Sequence, residues 1–84
     1  MEITLYATSW CPDSRRARQF LDEHGVSYTL IDIDADREAS HLVVEKIGKR
    51  AVPQLVIDGE WFQPYVPGQG LKIDELHEKL GIPK

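Results

Sequence analysis

The fold is set by residues 8–16, Thr8-Ser9-Trp10-Cys11-Pro12-Asp13-Ser14-Arg15-Arg16, which join an expected β-strand to an expected α-helix. The only cysteine, Cys11, lies at this junction. Pro12 suits the first helical position because its missing N–H loses no hydrogen bond there. Unpaired backbone N–H groups and the positive end of the helix dipole favour a thiolate over a thiol. The stretch therefore predicts a reactive cysteine at the start of a helix.

The residues on either side predict a strand, a helix and a second strand. Glu2–Tyr6 alternates around apolar residues, Pro12–His24 has helical apolar spacing ended by Gly25, and Val26–Ile33 suits a strand covered on both faces. Short connections make the two strands parallel, with a right-handed crossover. Cys11 then lies at the carboxyl end of a strand, where open sheets of this kind place their sites.

The next segment predicts a second helix followed by a hairpin. Asp34 or Asp36 is expected to cap a helix that ends at Gly48. Its buried face is predicted to hold Ala39, Leu42, Val43 and Ile47. Gln54–Ile57 is a short apolar strand, and the turn signal Asp58-Gly59 pairs it with Glu60-Trp61-Phe62.

The end of the chain predicts a loop and a last helix. Gln63 to Gly70 contains two prolines and two glycines, a composition typical of a loop. The helix that follows carries Asp74 in its first turn, where the dipole favours it, and ends at Gly81. Its inward side chains are predicted to be Ile73, Leu76 and Leu80.

Composition narrows the class of protein. The 84 residues are expected to form one domain, 1–84. A net charge of −4 argues against nucleic acid as a partner, and no stretch reaches the ~20 apolar residues of a membrane span. With one cysteine, no internal disulfide forms and no zinc pattern is present. We therefore expect a cytoplasmic monomer without a bound metal. The cluster Arg15, Arg16 and Arg18 is either a solvated face or an anion site.

The element order βαβαββα, with Trp10-Cys11-Pro12-Asp13-Ser14 after the first strand and Ala51-Val52-Pro53-Gln54 before the third, resembles the glutaredoxins of the thioredoxin fold. The resemblance implies an α/β fold in which a four-stranded mixed sheet is flanked by three helices. It also implies that Cys11 is the nucleophile and that Val52–Pro53 is a cis peptide beside it. The backbone of Val52 would then pair with an extended peptide such as glutathione.

The same resemblance implies a thiol–disulfide oxidoreductase whose co-substrate is glutathione and whose partners are glutathionylated or disulfide-containing proteins. Ser14 occupies the position of the second cysteine of dithiol members, so this is a monothiol active site. A hydrogen bond from the Ser14 hydroxyl would favour the thiolate. Whether this serine is natural or a replacement for cysteine is left open by the sequence.

The expected glutathione contacts are Trp10, Arg50, Val52, Pro53, Gly70 and Asp74. No lysine precedes the cysteine as in many glutaredoxins, so Arg50 is the cation expected to hold a carboxylate, with Lys49 or Arg37 as substitutes. The usual Gly-Gly pair is also missing, and Gly70 and Asp74 are its expected equivalents. Asp13 should oppose the thiolate by like-charge repulsion, while the helix terminus and the arginine cluster act in the other direction, and the sequence leaves the sum of these effects open.

Two other functions stay open at this point. Cys11 from each of two chains, with two glutathiones, would complete a [2Fe–2S] site in a cluster carrier. Alternatively, the domain is a redox-inactive interaction module that keeps the fold without the chemistry.

Overall fold

The sheet is organised around a buried first strand. A computed structural model describes all 84 residues, Met1–Lys84. Strand β1 (Ile3–Ala7) pairs in parallel with β2 (Thr29–Asp32) and antiparallel with β3 (Gln54–Ile57), which turns through Asp58-Gly59 into antiparallel β4 (Glu60–Phe62). The strand order is β2-β1-β3-β4. The predicted mixed four-stranded sheet is therefore confirmed.

Three helices flank this sheet, as predicted. They are α1 (Pro12–Glu23), α2 (Arg37–Ile47) and α3 (Ile73–Leu80). Of the two cap residues proposed for α2, Asp36 is the one used, because its carboxylate accepts the backbone N–H of Ala39 at 3.0 Å. Gly48 ends α2 in the left-handed conformation that glycine adopts without strain.

The core divides into two layers because successive side chains of β1 point to opposite faces. One layer joins β1, β3 and β4 to α1 and α3, and it consists of Ile3, Leu5, Ala7, Ala17, Phe20, Leu21, Leu55, Ile57, Phe62, Leu76 and Leu80. The other joins the opposite face to α2 and consists of Tyr6, Ile33, Ala39 and Val43. Leu42 and Ile47, predicted to be buried, pack at the margin of this second layer.

The second strand is shorter and less covered than predicted. The sequence predicted Val26–Ile33, buried on both faces, whereas β2 comprises only Thr29–Asp32 and Leu30 is exposed. The reason is that β2 lies at the edge of the sheet, where one long side has no neighbour. The backbone N–H of Val26 instead bonds to the carbonyl of Leu21 at 3.0 Å and closes the C-terminal end of α1.

The segment Gln63–Gly70 is not a simple loop, and this prediction was wrong. It contributes to a two-stranded antiparallel ribbon formed by β5 (Tyr65–Val66) and β6 (Gly70–Leu71). Pro64 and Pro67 flank the paired residues, so neither proline removes a donor from the ladder. A proline-rich composition therefore concealed a short paired segment.

Helix α3 departs from prediction at its first residue. Leu76 and Leu80 are buried as expected, but Ile73 is exposed because it lines an open depression beside β6. The buried His77 packs its ring edge-on against Phe20 of α1. Gly81 ends the helix as predicted.

Candidate active site

Cys11 occupies the N-cap of α1. Its backbone is extended (φ −80°, ψ 119°), and its carbonyl accepts the backbone N–H of Arg15 at 3.1 Å. The cysteine is partly exposed, and no side chain caps the helix. Pro12 brings no N–H, so the N–H groups available at the first turn are those of the next two residues. The predicted position of the thiol at a helix start is confirmed.

The N-cap of α2 shows what a side chain does at this position. There the carboxylate of Asp36 accepts a first-turn N–H. Cys11 is also an extended N-cap residue, but its neutral thiol is a weak acceptor. No N–H group donates to the sulfur of Cys11 in this structure, so the cysteine has the N-cap position without the capping hydrogen bond that Asp36 makes.

Asp13 does not act on the thiol as an isolated charge. Its carboxylate accepts a hydrogen bond from the Arg16 guanidinium, with 3.0 Å between Oδ1 and Nη1. The arginine therefore balances the negative charge that the sequence predicted would oppose the thiolate. One member of the arginine cluster thus has an internal partner.

Ser14 is fully buried within the first turn of α1. Its hydroxyl oxygen accepts the backbone N–H of Thr8 at 3.4 Å and makes no hydrogen bond with the sulfur of Cys11. The serine therefore ties the chain before the cysteine to the helix after it. The hydroxyl of Thr8 is buried without a partner, a feature of the site that the sequence did not suggest.

The Val52–Pro53 peptide is cis, as the resemblance implied. Pro53 is fully buried and Val52 is partly exposed. In the register of β1 against β3, Tyr6 pairs with Gln54, so Pro53 lies directly before β3 and next to the C-terminal end of β1. The cis-proline and Cys11 therefore lie at the same end of the sheet.

Trp10 and Arg50, both predicted to contact substrate, are joined by a third residue. The indole Nε1–H of Trp10 donates to Oδ2 of Asp34 at 2.6 Å, and Nη2 of Arg50 donates to Oδ1 of the same carboxylate. Arg50 Nε–H also donates to the hydroxyl of Ser40 at 3.1 Å. The hydrogen bond from Arg50, followed by that from Trp10, lowers the pKa of Asp34 below its ordinary value.

The sequence considered Asp34 only as a helix cap and missed this role. The one sequence signal for a role in the site is that Asp34 lies two residues after β2. Since β1 and β2 are parallel, their carboxyl ends lie at the same end of the sheet, which places Asp34 on the side of Cys11. Its backbone is held by a hydrogen bond from its own N–H to the carboxylate of Asp32 at 2.8 Å.

The two remaining predicted glutathione contacts, Gly70 and Asp74, lie in the C-terminal part of the chain, in β6 and α3. Gly70 belongs to β6, a strand that contacts α1. Asp74 forms an exposed ion pair with Lys84, with 3.0 Å between Oδ1 and Nζ. Both residues border the open depression beside β6, and no hydrogen bond joins them to the residues around Cys11.

Metal ligands are not clustered in this chain. No group of three or more His, Cys, Asp or Glu side chains is placed to hold an ion. A [2Fe–2S] cluster of the common type takes four thiolates, of which one chain supplies only Cys11. None of the helices has the length and apolar character needed to span a bilayer.

Cys11 lies at the start of α1, and the cis-proline lies directly before the antiparallel strand β3. These two features define a thiol oxidoreductase of the thioredoxin-fold class. The family model for glutaredoxin matches residues 3–62, which is more than half of the chain. The chain therefore belongs to the glutaredoxin family.

Individual relatives agree with this assignment. The Gene 56 protein of Mycobacterium phage D29 is 36% identical over 74 residues, covering 88% of this chain and 80% of the relative. Mycoredoxin 1 of Corynebacterium glutamicum is 46% identical over 52 residues, covering 61% of this chain and 63% of the relative. The match thus spans less than two thirds of mycoredoxin.

Solved structures resemble the fold over nearly its whole length. A thioredoxin-like protein superposes with a TM-score of 0.81 at 28% identity, covering 98% of this chain and 97% of its own. The glutaredoxin of Archaeoglobus fulgidus gives a TM-score of 0.76 at 25% identity, covering 94% and 85%. The fold of the whole chain, beyond the matched residues 3–62, is therefore that of the class.

Proposed function

We propose that this chain is a monothiol thiol–disulfide oxidoreductase that reduces mixed disulfides between proteins and glutathione. The observation that carries the proposal is the placement of Cys11 at an extended N-cap without a capping side chain. Helix N-termini favour anions, so this position suits a nucleophilic thiolate, and the residue is partly exposed for attack. Membership of the glutaredoxin family supports the same chemistry.

The reaction has two exchange steps. In the first, the thiolate of Cys11 attacks the glutathione sulfur of the mixed disulfide, a new disulfide forms between Cys11 and glutathione, and the protein leaves as a thiolate. In the second, a glutathione thiolate attacks this disulfide, which releases glutathione disulfide and restores the thiolate of Cys11. In the net reaction the protein thiol is released, one free glutathione is consumed, and glutathione disulfide forms from it and the glutathionyl group of the substrate.

The chain requires an external thiol for the second step because Ser14 cannot form a disulfide. The backbone of Val52, next to Pro53, is the proposed pairing edge for the extended glutathione moiety. Trp10 is 63% exposed and is proposed to contact the substrate beside the thiol. Gly70 and Asp74 are proposed to hold the γ-glutamyl end.

The likeness to mycoredoxin 1 gives a second thiol to test, mycothiol. Peptides carrying either thiol as a mixed disulfide are incubated with the protein and an excess of the same free thiol. The wild-type chain should release free peptide over many turnovers, whereas Cys11→Ser should not. The proposal is contradicted if wild type and Cys11→Ser release the peptide equally fast, or if wild type releases no peptide with either glutathione or mycothiol. Either result favours an interaction domain without redox chemistry.

A further inference from the structure

Asp34 holds together three segments that border the site. Its carboxylate accepts the indole N–H of Trp10 and the guanidinium of Arg50, and Arg50 reaches on to Ser40 of α2. We call these four side chains the Asp34 bridge. One end of the bridge is next to Cys11, and the other is two residues before Val52.

The bridge changes what Arg50 offers to a ligand. Arg50 lies three residues before the cis-proline Pro53, and its charge is balanced by an internal carboxylate. Two of its N–H groups are already donated, through Nη2 to Asp34 and through Nε to Ser40. A ligand carboxylate can still reach the remaining N–H groups of Arg50, but it meets a pair without net charge and is therefore attracted less strongly than by a free guanidinium.

Hydrogen bonds hold the carboxylate of Asp34 in contact with Arg50. Both of its oxygens accept hydrogen bonds from different segments, and its backbone N–H is held by Asp32. An aspartate is ionised at neutral pH, and the hydrogen bonds from Arg50 and then Trp10, which lower the pKa of Asp34, extend its charged state to lower pH. The competitor for Arg50 is therefore present whenever a ligand arrives.

We propose that Asp34 is a specificity-determining residue: by occupying Arg50 it weakens the preference of the site for thiols that carry a carboxylate, relative to neutral thiols. This inference rests on the proposed function, because it concerns which small thiol the site accepts. Both side chains of the pair are about two fifths exposed. Exposed ion pairs are weak, so the expected change in preference is about two- to fivefold.

The test compares two mixed disulfides of one peptide, with 3-mercaptopropionate, which carries a carboxylate, and with 2-mercaptoethanol, which is neutral. The quantity measured is the ratio of kcat/KM for the first substrate to kcat/KM for the second. Asp34→Asn keeps an oxygen that accepts the Trp10 indole but removes the charge that occupies Arg50. This substitution should raise the ratio about two- to fivefold over wild type.

Two further variants make the result specific. Glu45→Gln removes the same charge from an exposed position of α2 and should leave the ratio at the wild-type value. Adding Arg50→Gln to Asp34→Asn should abolish the gain. A ratio unchanged by Asp34→Asn, raised equally by Glu45→Gln, or still raised in the double variant overturns the inference.

A wild-type chain that reduces neither these two substrates nor the glutathionylated peptide would refute the proposed function, but the inference would still be tested by binding. S-methylglutathione carries carboxylates and cannot exchange, so its Kd is measured by NMR titration of the full chain. Asp34→Asn should bind it about two- to fivefold more tightly than wild type. Equal affinity of the two proteins overturns the inference.

Discussion

Replacing Arg16 by alanine should make Cys11 less reactive without altering the fold. In the wild-type chain the guanidinium balances the carboxylate of Asp13, two residues beyond the thiol. Without Arg16 that carboxylate acts as an uncompensated negative charge at the helix start. The thiolate is then disfavoured by like-charge repulsion.

The magnitude follows from the exposure of the pair. The side chain of Arg16 is 60% exposed and that of Asp13 is 28% exposed, so solvent screens both charges. Interactions of this kind reach at most about 1 kcal/mol, which corresponds to roughly a fivefold change in an equilibrium. The rate of alkylation of Cys11 at a fixed, mildly acidic pH tracks the thiolate fraction, and it should fall about two- to fivefold.

The assay follows alkylation of the single cysteine by iodoacetamide, using intact mass. Asp13→Asn should increase the rate, and the double variant Asp13→Asn with Arg16→Ala should regain at least the wild-type rate. Arg37→Ala, which removes the same charge from α2, is the matched control. The electrostatic reasoning is refuted if Arg16→Ala reacts as fast as wild type, or if the double variant stays as slow as Arg16→Ala.

Two further predictions concern the bridge and the core. The pKa of Asp34 lies below its ordinary value, so its contribution to stability is fully present above the unfolded value and is lost as pH falls through the lower folded value. The Trp10 indole N–H signal in NMR should accordingly titrate below the ordinary aspartate range and lose this step in Asp34→Asn; a midpoint at the ordinary value would contradict it. Leu55 is 1% exposed in the larger core layer, and Leu55→Ala should lower the free energy of unfolding by about 2–5 kcal/mol. In denaturant titrations, Leu30→Ala at the exposed edge should cost under about 1 kcal/mol, and equal losses would contradict the assigned core.

The parts of the fold that the sequence predicted well depend on local signals. Asp36, Gly48 and Gly81 mark helix ends because capping and left-handed backbone are properties of a few residue types. The strand Gln54–Ile57 and its Asp58-Gly59 turn follow from a short apolar run and a turn dipeptide.

The predictions that were wrong concern features that depend on where a segment lies in the tertiary structure. Leu30 is exposed because β2 is an edge strand, and an apolar run does not reveal where its strand lies in the sheet. Tyr65–Val66 pairs with a strand only two residues long, too short for any alternation to appear in the sequence.

The candidate site shows the same division. Cys11, Pro12 and the cis-proline were predicted because they belong to short motifs on known elements. The pairing of Arg50 with Asp34 spans 16 residues and arises from the meeting of two loops at one sheet edge. Residue types alone predicted a free cation there, and only the structure shows that it has an internal partner.

The most direct test of the account is a single-turnover reaction of the wild-type chain with one equivalent of a glutathionylated peptide, analysed by intact mass. Attack by Cys11 on the glutathione sulfur predicts a protein that carries one glutathionyl group and a peptide released as a free thiol. Cys11→Ser should remain unmodified. A protein that carries the peptide, or wild-type chain without any adduct, would contradict the proposed chemistry of Cys11.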